Sequence, residues 1–157
     1  MADLSLSISA DSITAMLTTA VQLSTSEIES IAKSQMSRIL DRTSQAIGVG
    51  GAFSPLSKQY AKRKMRKGGK GIADLRSAGT GPHMLDTMHI EAGHTSSDET
   101  TCAIVVEGKS AGFSQATHPF MGATTDETQQ MTEQAQTLIS QRGDSSVGSW
   151  VPATMAF

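Results

Sequence analysis

Residues 51–70 read GAFSPLSKQYAKRKMRKGGK. Phe53-Ser54-Pro55-Leu56-Ser57 leads out of a Gly-Val-Gly-Gly loop and starts a helix. Proline is tolerated in a first helical turn, where its missing N–H has no partner to lose, so Ser54 is the expected N-cap. Tyr60, Ala61 and Met65 sit among basic residues as far as Lys67, and Gly68-Gly69 and Gly71 end the helix. Seven of the 13 Lys and Arg fall here, at Lys58, Lys62, Arg63, Lys64, Arg66, Lys67 and Lys70, with no acid between them. The whole chain carries a net charge of -2, so this is a local patch and not a polyanion-binding composition.

Upstream, Leu4, Leu6 and Ile8 alternate with serines, which is a half-buried strand pattern. From Ile13 to about Ala46 there is no glycine or proline, and apolar positions recur every three or four residues. That spacing predicts one kinked helix or two helices, with Ser24 or Ser26 capping the second. Gln35 falls in the apolar register of this helix.

Downstream the pattern shortens. Ile72 to Leu75 is a brief apolar stretch, Met84-Leu85 starts a turn, and Met88, Ile90 and Ala92 alternate as a strand. Gly93 to Glu99 reads as a polar turn. Thr101 to Glu107 is the best strand in the chain and is expected to be central, with Cys102, Ile104 and Val106 on one face. Gly108 to Thr117 reads as a loop, and His118-Pro119-Phe120-Met121-Gly122 as an apolar anchor. Thr124 and Glu127 make a capping-box pattern before a helix ending at Gly143. The expected fold is α+β, a small antiparallel sheet packed on a long N-terminal and a C-terminal helix, with the short basic helix between them. One domain over residues 1–142 is expected, followed by a C-terminal arm, 143–157, with Trp150, Val151, Met155 and Phe157 as candidate partner contacts.

Apolar residues make up 38% of the chain and aromatics 4%, a thin core for its length. The lone Cys102 gives no internal disulfide, no apolar run has the length of a membrane span, and the first residues lack a signal-peptide pattern. His83, His89, His94 and His118 lack the tight pairing of a zinc site and read as surface or turn residues. Neither glycine-rich segment has phosphate-loop spacing, and no carboxylate pair stands out. A non-enzyme without cofactor or metal is expected. The basic helix admits two readings, a solvated face or a surface for phosphates or an acidic protein.

Three segments together resemble one family. Gly51 to Ser57 with Tyr60 and Lys64 is similar to the G-x-x-W/F-x-P-L-S-x-x-Y-x-x-x-K turn of the virion morphogenesis, or tail completion, proteins of tailed bacteriophages. Ala73-Asp74-Leu75-Arg76-Ser77-Ala78-Gly79 with Met84 to Met88 resembles that family's leucine, Thr-Gly-x-Leu and short helix entering a strand. The His118 to Thr124 segment resembles its R-P-F-L-G-x-[ST] anchor, with His118 in place of the arginine. The resemblance spans about residues 4–141 and makes Phe53, Pro55, Leu56, Tyr60, Pro119, Phe120 and Gly122 structural anchors. It implies a virion component at the head–tail junction, forming a hexameric or dodecameric ring around the channel through which genomic DNA passes without sequence recognition. Neighbouring neck proteins would be its partners: head-completion or adaptor proteins on one side, a tail terminator or tail tube on the other. A nucleic-acid-binding accessory protein using residues 58–70 is the alternative.

Overall fold

The computed structural model describes residues 2–8, 12–19, 23–108 and 111–141. The fold is α+β, with a five-stranded antiparallel sheet. Strand β1 (Ala2–Ile8) pairs with β2 (Ser12–Thr19), and β2 pairs along its whole length with β5 (Thr100–Glu107). Two short strands, β3 (His89–Ile90) and β4 (His94–Thr95), also pair with β5. The sheet runs β1-β2-β5-β3, so β5 is central, as its continuous apolar run predicts.

The main departure from the sequence reading is β2. Residues 12–19 satisfy both periodicities, with Ile13, Met16 and Leu17 at helical spacing and Ile13, Ala15 and Leu17 at strand spacing. Short apolar runs do not discriminate by pattern alone. Here Ile13, Ala15, Leu17 and Thr19 are buried and the intervening residues are half-buried, the period of a strand. The register decides the outcome: Ile13 faces Val106, Ala15 faces Ile104 and Leu17 faces Cys102, which aligns two apolar rows on one face.

Helix α1 (Thr25–Ser44) therefore starts twelve residues later than the apolar spacing suggests. Ser24 is its N-cap, accepting from the Glu27 N–H at 3.2 Å while the Glu27 carboxylate accepts from the Ser24 N–H at 2.7 Å. Ile28, Ile31 and Ile39 of α1 cover the sheet, joined by Met131, Ala135 and Ile139 of helix α4 (Thr125–Gln141). Two further differences concern short elements. Residues 94–95, expected in a turn, pair with Thr100 and Thr101, and residues 111–117, expected in a loop, form helix α3 (Ala111–Thr117), packed near β2. The α3 sequence AGFSQAT has little intrinsic helical signal, so packing on the sheet outweighs propensity there.

Candidate functional site

Helix α2 (Lys58–Lys67) leaves the loop after α1. Its N-cap is Ser57, whose hydroxyl accepts from the Tyr60 N–H at 3.2 Å, and not Ser54. The reason lies in Phe53. Its N–H donates to the Ala46 carbonyl at 2.8 Å and its carbonyl accepts from Gly48 at 2.9 Å, so the segment leaves this pairing extended and turns helical only after Leu56. Gly51 allows that close approach, because a Cβ there would sit 2.3 Å from the Ala46 carbonyl oxygen. Helix α2 stops at Gly68, which has a φ of 71°.

One residue of the helix departs from the sequence reading. Lys64 is buried, and its ammonium donates to the backbone carbonyl of Asp74. Burial pulls this ammonium below the ordinary lysine range, and the Asp74 carboxylate opposes that shift. Met65 points outward and is 67% exposed. Lys64 thus belongs to the interior and not to the basic surface to which the sequence reading assigned it. Lys58, Lys62, Arg63, Arg66, Lys67 and Lys70 are exposed.

Arg76 organises the neighbouring loop. Its guanidinium meets Asp74 Oδ2 at 3.2 Å and Asp86 Oδ1 at 2.8 Å, while its own N–H donates to Asp74 Oδ1. The backbone N–H of His83 donates to Asp86 and, with Arg76, holds that carboxyl below its usual range despite a partial opposing effect of burial. The Tyr60 hydroxyl accepts from the Ala78 N–H at 3.1 Å, tying α2 to the same loop.

Three segments far apart in sequence meet here. The rings of Phe53 and His118 pack edge to face, 4.9 Å between centroids. A cleft of about 250 Å³ is walled by Leu56, Tyr60 and Lys64 from the first segment, Leu75, Arg76 and Met84 from the second, and His118 from the third. A wider, shallower hollow of about 480 Å³ runs between residues 52–57 and Thr117-His118. Of the anchor residues, Phe120 is buried; Phe53, Leu56, Tyr60 and Gly122 are half-buried; Pro55 and Pro119 are exposed. The prolines restrict the backbone and do not fill the core.

Three polar residues position the anchor. The buried Gln115 side chain accepts from the Phe120 and Met121 N–H groups at 3.1 and 3.2 Å. Glu127 makes the expected capping box with Thr124 and also accepts from Gln35 Nε2 at 3.0 Å and Arg42 Nε at 2.9 Å. Arg42 donates in addition to the Gly122 carbonyl. Gln35 is fully buried. Its place in an apolar register was the available signal that a buried polar partner existed, and Gln115 stands in Phe113-Ser114-Gln115, which resembles a remnant of the family's His-Gln-x-Gly signature.

Reactive groups are distributed otherwise. Ser77 Oγ lies 3.3 Å from His83 Nδ1, but Asp86 bonds the His83 backbone and not its ring, so among the described residues no acid orients the imidazole as a nucleophilic triad requires. Cys102 is buried, its thiol pushed up to about 11 chiefly by burial and further by the Glu29 charge. No metal-holding cluster of His, Cys, Asp or Glu occurs among the described residues. Trp150, Val151, Met155 and Phe157 of the C-terminal arm lie outside the described residues. Comparison with known proteins returned no matching family model, no matching curated protein and no matching solved structure.

Proposed function

We propose that the chain is a structural component of a tailed-bacteriophage neck, forming a ring at the head–tail junction around the DNA channel without enzymatic activity. One observation carries this reading. The three segments that resemble tail completion proteins, spread over residues 51–124, fold against one another through the Phe53–His118 contact and the cleft between them. Segments that form one structural unit are what a shared fold requires. Rings of one chain use heterologous contacts, in which each subunit offers two different patches. A channel that passes DNA must not grip it, so the exposed face of α2 suits a neighbouring protein better than the lumen. The test is the copy number of this chain in purified particles, by quantitative mass spectrometry against the tail tube protein. One ring's worth per particle is expected, and absence from clean particles overturns the reading.

The six exposed cations around α2 favour the second reading, a nucleic-acid-binding accessory protein. It requires that the free protein bind duplex DNA with steep salt dependence. Replacing Lys62, Arg63, Arg66 and Lys67 with glutamine must then abolish that binding. On the neck reading the free protein binds DNA weakly from the start, and the same variant fails in head–tail joining.

A further inference from the structure

Exposed charge is unevenly distributed along α1, although Lys33 near its start and Asp41 near its end run against the trend. At its C-terminal end, Leu75 N donates to the Thr43 carbonyl and Ile47 N to the Ala73 carbonyl, which brings the loop bearing α2 alongside. The acids of that loop, Asp74 and Asp86, are already paired with Arg76, and among the described residues no acid forms an ion pair with the exposed cations of α2. The N-terminal end of α1 is acidic. Glu29 accepts from the Gly93 N–H at 2.8 Å, and Glu91, Asp98 and Glu99 are exposed on the segments that flank β4. Twenty residues of helix hold the two ends about 30 Å apart.

A second feature marks the basic end. Val49, Met65 and Ile72 are three of the four large apolar side chains exposed among the described residues, and all belong to the loop after α1 or to α2 and its sequel. Val49 is fully exposed on a turn closed by the Gly51 N–H to the Gly48 carbonyl at 3.1 Å. Met65, on α2 among the exposed Lys62, Arg66 and Lys67, has the composition of an interface core with a charged rim.

We propose that the exposed face of α2, with Met65, docks on the acidic end of a second copy of this chain, around Glu91, Asp98 and Glu99. Because the two patches sit at opposite ends of one domain, the contact is head-to-tail and each copy keeps one patch free for the next. The proposal rests on the reading of the chain as a ring component, and supplies the surface that closes the ring.

Reciprocal charge reversal in the full-length protein tests it, with sedimentation velocity as the readout and far-UV circular dichroism as the check on folding. The wild type is expected to self-associate, less strongly as salt rises. Lys62→Glu/Arg63→Glu/Arg66→Glu and, separately, Glu91→Lys/Asp98→Lys/Glu99→Lys are each expected to weaken association by about a hundredfold or more, since facing like charges cost several kcal/mol. An equimolar mixture of the two variants restores assembly, because each then meets an oppositely charged patch at both ends. Association unchanged by either reversal, or a mixture that stays monomeric, overturns the proposal. So does an α2 reversal that abolishes duplex DNA binding and leaves self-association intact. Particle copy number separates this failure from that of the neck reading. One ring per particle with reversal-insensitive assembly removes the docking geometry alone; restored assembly of the mixture with no copies in particles removes the neck reading alone.

Discussion

Replacing Glu127 with leucine tests whether the anchor segment is held by a buried polar network. The Glu127 carboxylate receives Gln35, Arg42 and the Thr124 N–H. Without it, the amide of the fully buried Gln35 loses its partner, which costs about 1–3 kcal/mol. The Thr124 hydroxyl still caps the helix, but the reciprocal bond from the Thr124 N–H is lost, at about 1 kcal/mol more. The Arg42 side chain is 31% exposed and can turn toward water, so its share falls at the low end of the range for a broken ion pair. The sum is roughly 3–4 kcal/mol, a fall in Tm of roughly 10 °C for a domain of this size. Urea unfolding followed by circular dichroism measures it, with a double-mutant cycle against Gln35→Leu. Removing both partners leaves no orphaned amide, so the double variant is expected to cost less than the sum of the singles by about 1 kcal/mol or more. A Glu127→Leu cost within about 0.5 kcal/mol of zero, or strictly additive singles, refutes the reasoning.

Phe120→Ala removes a fully buried ring from the core and is expected to cost about 3–5 kcal/mol; an unchanged urea midpoint contradicts that burial. Cys102 in the native protein should resist thiol reagents at mildly alkaline pH and react promptly in denaturant, whereas fast native labelling shows the strand opening. Its thiol keeps its proton in the fold while the unfolded chain loses it near ~8.5, so its contribution to stability falls as pH rises from there to about 11, and Cys102→Ala flattens that slope. Asp86 behaves oppositely. Its lowered pKa adds stability that is present above the ordinary carboxylate range and is lost as pH falls through the folded value, so Asp86→Asn should weaken the acid dependence of unfolding.

Local chemistry made much of this protein legible. The capping boxes at Ser24/Glu27 and Thr124/Glu127 form as their spacing requires, since each partner lies within one helical turn. Glycines end α2, and the apolar run of β5 is central because it can be buried on both faces. Where two periodicities fit, the helical reading of the residues from Ile13 was wrong. Residues 12–19 became a strand because β1 and β5 offered aligned apolar rows on either side, a long-range pairing that no local window contains. The same holds at the surface. The sequence reading put Lys64 among the surface cations, and the fold buried it because the Asp74 carbonyl supplied a partner for its ammonium. The exchange of Phe53 and His118 contacts, the bonds of Gln115 and the uneven distribution of charge along α1 likewise join residues distant in the chain. Composition and spacing determined which elements could exist; tertiary packing decided which side chains each element would bury, because burial needs a partner and partners are chosen only in the folded state.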